Sequence, residues 1–230
     1  MTLFPDWFGW MSASRPLANT ARSGDLVIDC FSPRETTPLG QGQVDDSPYG
    51  GGPGMVLRVD VVAAALEHRY GVPAERVREE RRVVVLTPRG RPFADPVARE
   101  YAAGGDMLLL CGRYEGFDQR VHEHLAGEEL SLGPFVLAGG EIAAMAVIDA
   151  VSRRLPGALG NAESLEGESF SDALGGGLEY PHYTRPAVWG GHGVPDVLLS
   201  GDHGAIARWR AEHVSPPHGG PHADGRPAGC

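Results

Sequence analysis

Four short strings hold most of the residues in this chain that could do chemistry. They are Tyr49-Gly-Gly-Gly-Pro-Gly-Met55, Cys111-Gly-Arg-Tyr-Glu-Gly-Phe-Asp118, Leu137-Ala-Gly-Gly-Glu141 and Ser152-Arg-Arg-Leu-Pro-Gly-Ala-Leu-Gly160. Glycines at this density let a ligand approach the backbone closely. The strings also exclude several chemistries. Gly50 to Gly54 lacks the lysine and hydroxyl with which a phosphate-binding loop grips a triphosphate, and no dinucleotide-type GxGxxG turn follows a first strand. The chain has neither a GxSxG nucleophile elbow nor an HExxH zinc motif. Cys30, Cys111 and Cys230 lie far apart without ligand spacing, so they read as plain thiols. His213, His218 and His222 read as a solvated tail rather than a metal site.

These strings must sit on elements that present them. Leu26 to Phe31 reads as a strand, and the polar stretch from Ser32 to Pro53 as a long loop whose Val44-to-Met55 core is a candidate site. Val61 to Tyr70 has helix formers with an apolar face, closed by Gly71 and Pro73. Val83 to Leu86 and Met107 to Cys111 are short apolar runs, each ending in one of the candidate loops. Strand, helix, strand, helix is the rhythm of an α/β domain with a parallel sheet, where ligands gather outside the carboxyl ends of the strands. A helix is expected from Gly140 to Leu155, with Glu141 favourably placed at its start and Pro156-Gly157 as its stop. Val194 to Leu199 and a short helix through Trp209 suggest a small C-terminal helical unit.

The expected organisation is therefore 1–160 as the main domain, 161–171 as a flexible linker, 172–213 as the helical unit and 214–230 as a disordered tail. Apolar residues make up 42 % of the 230, enough for a real core. No apolar run approaches the ~20 residues needed to span a bilayer. The amino-terminal sequence lacks the pattern of a signal peptide, which points to the cytoplasm. The formal charge of −10, from 20 basic and 30 acidic residues, argues mildly against a nucleic-acid partner. Arginine clusters at Arg76 to Arg82 and Arg208 to Arg210 leave room for a local basic stripe.

Taken together and in this order, with Pro181-His-Tyr-Thr-Arg-Pro186 and Val197-Leu-Leu-Ser-Gly-Asp-His203, the strings resemble the bacterial tRNA (guanine-N1)-methyltransferases of the SPOUT type, from about Thr2 to Trp209. The resemblance implies an α/β fold with a SPOUT-type parallel sheet and a deep C-terminal trefoil knot. It also implies a homodimer, and S-adenosyl-L-methionine held by three loops. By motif, the cover loop runs from Thr87 and Pro88 to Arg91. The wall loop carries Gly112, Tyr114, Glu115 and Gly116, and the bottom loop carries Leu132, Gly133, Pro134, Phe135, Val136, Leu137, Gly139 and Gly140. Leu132, Phe135 and Leu137 would cover an adenosine that the glycines admit to the backbone.

The reaction implied is methylation of N1 of guanine 37 in tRNA. That chemistry needs a base for the N1 proton and a cation for the charge spreading onto O6. By motif, Glu168 is the base and Arg153 the cation, with Asp45, Tyr49, Gly54, His182 and Arg185 on the tRNA side. Glu115 and Glu168 are the candidate ligands for Mg²⁺. The sequence departs from the family on the acceptor side, where Glu168 replaces an aspartate and Gly40-Gln-Gly-Gln43 stands where the family carries His and Arg. Its Pro-Gly-His tail likewise replaces a basic one, and most of the family's first strand is missing, so the sheet's starting strand is expected to be incomplete. These departures keep open an alternative: a paralogue that methylates a small heterocycle.

Overall fold

The computed structural model of the chain describes residues 1–159 and 167–217. Its contacts divide the chain into two units, Met1–Gly160 and Asn161–Cys230.

In the first unit, α1 (Arg15–Ser23) precedes a long irregular stretch holding the two-residue strands β1 (Asp45–Asp46) and β2 (Val56–Leu57). Then come α2 (Val59–Tyr70), α3 (Ala74–Glu80), β3 (Arg82–Pro92), α4 (Asp95–Ala102), β4 (Met107–Cys111), β5 (Glu128–Ser131) and α5 (Glu141–Ser152). Strands β4, β3 and β5 form one sheet in that order, with β3 parallel to both neighbours. Side chains alternate across it as a pleated strand requires. Val83, Val85, Leu108 and Leu110 join the core under α2 and α3. Val84, Leu86, Leu109 and Leu130 join the core under α1, α4 and α5. Apolar burial on both faces explains why the strands read as continuous runs rather than alternating ones.

Leu26 to Phe31, expected to be a strand, is extended but joins no ladder. A strand needs an edge to pair with, and here the outer edge of β4 is met by Met1 instead. Its ammonium donates to Leu109 O at 2.9 Å, and Cys111 N donates to Met1 O at 3.1 Å. That ammonium is buried, and desolvation lowers its pKa from the ordinary 8.0, while the same burial pushes the Cys111 thiol up to about 12. Below 8.0 the unfolded chain therefore binds more protons here than the folded one, so stability rises with pH up to 8.0 and levels off above it. The melting temperature is expected to climb across that window. Acetylation of the α-amine should flatten the slope, and an unchanged slope would refute the assignment.

The second unit contains a hairpin, β6 (Val188–Trp189) with β7 (His192–Gly193), followed by α6 (Asp196–Leu199) and α7 (His203–Glu212). The unit, expected to be small and helical, holds this hairpin beside its helices. Gly190 and Gly191 both take positive φ (56° and 85°), the requirement of a tight two-residue turn. Asp202 caps α7 by accepting from Gly204 N and Ala205 N at 2.9 and 3.0 Å. The tail expected from residue 214 begins with an ordered pair, since Ser215 and Leu178 exchange backbone hydrogen bonds of 2.7 and 3.1 Å. Most of the 161–171 linker lies outside the described residues. Residues 167–171, expected to be flexible, form a turn in which Ser171 N donates to Glu168 O and Phe170 N to Gly177 O.

Candidate functional site

The carboxyl ends of the three parallel strands open into a cavity of about 450 Å³. Its three walls follow from how each strand ends. Leu86 and Arg91 both stand opposite Leu130, so β3 leaves the ladder and rejoins it, and Thr87-Pro88-Arg89-Gly90 is extruded as a loop over the cavity. Arg89 ties that loop to the segment after β4 through Gln119 Oε1 at 3.1 Å. Beyond β4, Gly112 to Gly116 turns sharply, with Tyr114 at φ 59°. Such a conformation strains a residue that is not glycine and recurs at ligand sites. After β5, Ser131 to Gly140 forms the floor, where Phe135, Val136 and Leu137 are exposed apolar side chains awaiting cover.

Thirteen of the fourteen residues expected to hold the cofactor line this cavity: Thr87, Pro88, Gly112, Tyr114, Glu115, Gly116, Leu132, Gly133, Phe135, Val136, Leu137, Gly139 and Gly140. Pro134 sits in the same bend but does not line it. His122, from the helical turn Val121–Leu125, lines it as well, with Nδ1 3.0 Å from Glu129 Oε1. The cavity suits an adenosine with a short charged chain in size, apolar floor and backbone access. Gly140 shows why access depends on glycine. A Cβ there would stand 2.8 Å from Cys111 Cα, where Gly140 N donates to Gly112 O at 2.9 Å. Gly140→Val is expected to weaken S-adenosylmethionine binding at least 100-fold in calorimetry, and wild-type affinity in that variant would remove the floor from the site.

One pair in this region was not singled out from the sequence for any chemical role. Glu141 looked well placed at the start of α5 for the helix dipole, yet its side chain is 1 % exposed and forms an ion pair with Arg113 Nε at 2.9 Å. Thr2 Oγ1 donates to its other oxygen at 2.9 Å. The Arg113 guanidinium lies over Phe4 and Trp7, 4.5 and 4.9 Å from their ring centroids, and also donates to Ala138 O. A Cβ on Gly139 would collide with this pair, 2.3 Å from Arg113 Nε. The wall loop, the floor and α5 are thus clamped by one buried charge pair. The available signal was an arginine and a glutamate, each directly following glycine in two strings predicted to converge.

The remaining expected residues are distributed between the units. Arg153 caps the C-terminal end of α5, beside Arg154, which pairs with Asp95. Gly54 packs against Glu115, and Glu115 N donates to Met55 O at 3.0 Å, so the triple-glycine loop abuts the wall loop. Asp45 pairs with Leu57 in the short ladder, and Tyr49 is fully exposed. In the second unit, Glu168 opens the turn described above. His182 Nε2 lies 2.8 Å from Glu179 Oε1, and Arg185 is exposed before a cis proline. Among the described residues no group of three or more His, Cys, Asp or Glu could hold a metal ion. No step is assigned to Mg²⁺.

Residues 1–216 match the protein family described as tRNA (Guanine-1)-methyltransferase TrmD. A tRNA (guanine-N(1)-)-methyltransferase of Sorangium cellulosum (strain So ce56) is 50 % identical, over 91 % of this chain and 85 % of the relative. Its namesake in Cereibacter sphaeroides (strain KD131 / KCTC 12085) is 50 % identical over 91 % and 83 %. That of Geobacter metallireducens is 48 % identical over 91 % and 82 %. With a match over nearly the whole length and a three-loop cavity at the ends of a parallel sheet, the chain belongs to the tRNA (guanine-N1)-methyltransferase family.

Proposed function

We propose that this protein transfers a methyl group from S-adenosylmethionine to N1 of guanine 37 in tRNA. The observation that carries the reading is the convergence of cover, wall and floor loops on one cavity, in a chain that matches the family over residues 1–216. When bound, the cofactor supplies an electrophilic methyl on sulfonium. The cover loop and the apolar floor hold the adenosine and exclude water. Glu168 takes the N1 proton, so that the ring nitrogen attacks with its electron pair free, and Arg153 meets the negative charge that this places on O6. Asp45, Tyr49, Gly54, His182 and Arg185 belong to the acceptor side. No feature of the site favours a free heterocycle over a tRNA base.

The finer architecture is also part of this reading. The floor loop after β5 meets the wall loop where Gly140 N donates to Gly112 O, and the deep trefoil knot is part of the proposed architecture. Exposed Trp7, Trp10 and Ile142, at 45, 59 and 53 % exposure, suit a homodimer contact. No helix among the described residues is long and apolar enough to cross a membrane, and the reading assigns the enzyme to the cytoplasm with its tRNA substrate. The deciding experiment is radiolabelled methyl transfer to unmodified tRNA with guanines at positions 36 and 37, beside the same tRNA with guanine 37 replaced and beside free purines. Transfer only to the first, by a species of twice the chain mass in light scattering, is expected. Transfer to free purine alone, or full activity from a monomer, would overturn the acceptor or the dimer respectively.

A further inference from the structure

His122 lines the cavity at the strand ends but belongs to none of its three loops. It stands on the turn Val121–Leu125, which is wider than an α-helical one, since Ala126 N donates to Val121 O, five residues back, at 2.9 Å. Single turns of this kind recur at functional sites. Val121 and Leu125 are buried in the core, and Arg78 holds the turn from α3 by donating to Glu123 O and Ala126 O at 2.9 and 3.3 Å. His122 is thereby fixed at the edge of the cavity.

One neighbour sets the hydrogen-bonding state of the ring. Nδ1 lies 3.0 Å from Glu129 Oε1, and a carboxylate only accepts, so Nδ1 carries the hydrogen. In the neutral ring the other nitrogen, Nε2, is then an acceptor with its lone pair free. Nε2 has no hydrogen-bond partner among the described residues, whose fully buried side-chain polar atoms without a partner are Thr36 Oγ1, Arg81 Nε and Ser171 Oγ. Nε2 is therefore accessible, and the space bordered by this side chain, itself only 5 % exposed, is the cavity. The pair also marks one end of that space. Glu129 stands opposite Val85 in the β3–β5 ladder, and Val85 and Leu130, which both line the cavity, are each 1 % exposed. Ser131 Oγ, next along β5, is engaged by Gly133. This innermost, apolar end suits a flat heteroaromatic ring with one polar edge, whereas Gly112, Gly139 and Gly140 give backbone access on the wall and floor.

We propose that His122 Nε2 accepts a hydrogen bond from the exocyclic 6-amino group of the methyl donor's adenine, and that Glu129, by keeping the hydrogen on Nδ1, makes that nitrogen an acceptor. His122 is thus a specificity-determining residue for the nucleobase, and Glu129 a positioning residue behind it. The assignment rests on the reading of this cavity as the S-adenosylmethionine site. A 6-oxo base would set its carbonyl oxygen against the Nε2 lone pair and leave both unpaired, so the site rejects it.

Calorimetry with the whole chain compares S-adenosylhomocysteine with S-inosylhomocysteine, in which an oxo group replaces the 6-amino group. The wild type should bind the first about 100-fold more tightly. In His122→Leu that ratio should fall by about ten-fold or more, chiefly through weaker binding of S-adenosylhomocysteine. A histidine that only filled space would weaken both ligands alike. Glu129→Leu frees the tautomer and should lower the ratio by a smaller factor. Nitrogen-15 spectra of the wild type need no variant: the His122 ring should carry its hydrogen on Nδ1, and the Nε2 resonance should move when S-adenosylhomocysteine binds. Hydrogen on Nε2 in the unliganded chain would overturn the proposal, as would an unchanged ratio in His122→Leu while S-adenosylhomocysteine still binds. Failure of the wild type to bind S-adenosylhomocysteine at all would overturn the cofactor reading itself, and this assignment with it.

Discussion

Glu141→Ala is expected to cost about 3–5 kcal/mol of stability, because it leaves the Arg113 charge largely buried and without its carboxylate. The same variant should lose cofactor binding, since Arg113 is the link through which the wall loop, the floor carbonyl of Ala138 and the Phe4 and Trp7 rings are held together. A chemical denaturation curve checks the first effect and calorimetry with S-adenosylhomocysteine the second. Two further variants separate charge from geometry. Arg113→Met combined with Glu141→Leu removes both partners, so it should recover much of the stability. It should still bind cofactor poorly, because the loops are no longer tied. Arg113→Lys keeps the charge but gives up the planar stack on Phe4 and Trp7, and should fall between wild type and Glu141→Ala. If Glu141→Ala melts and binds as wild type does, the clamp holds nothing and the loops are positioned by their glycines alone.

What could be read from the sequence follows from how local each signal is. The helices α2 and α5 and the strands β3 and β4 were legible because apolar spacing and flanking Gly and Pro lie within each segment. Leu26 to Phe31 has the composition of a strand, but whether it pairs is decided by the β4 edge some 80 positions away, where Met1 stands. The hairpin at Val188 to Gly193 was missed because each of its strands is two residues long, too short to show alternation. The loops that line the cavity at the strand ends were legible as strings. The cover loop's shape was not, since it arises from Leu86 and Arg91 sharing one partner, Leu130, a matter of register. The charge clamp was hidden for a related reason. Glu141 has an ordinary helix-start reading, and only the packing that brings Arg113 over Phe4 turns it into the most buried acid of the site.

Glu168→Gln carries the largest kinetic effect expected of this chain, a fall of two to four orders of magnitude in methyl transfer to tRNA, the range typical of removing a general base. Glutamine preserves the size of the side chain and its place in the turn whose backbone is fixed by the Glu168 O to Ser171 N bond, but cannot take a proton. The affinity for S-adenosylmethionine should stay within two-fold, because the described residues that line the cavity all belong to the first unit. That split, rate lost and donor binding kept, distinguishes a base from a residue that merely orders the turn. Glu168→Asp tests the same assignment from the other side, since it retains the carboxylate on a side chain one methylene shorter and should keep most of the rate. Arg153→Ala should resemble Glu168→Gln, because a cation matched to developing charge on O6 acts mainly in the transition state. Arg153→Lys should restore part of that rate by supplying charge without the guanidinium's fork. Full activity in Glu168→Gln would move the base to another group, and a parallel loss of cofactor affinity would make Glu168 a structural residue of the turn.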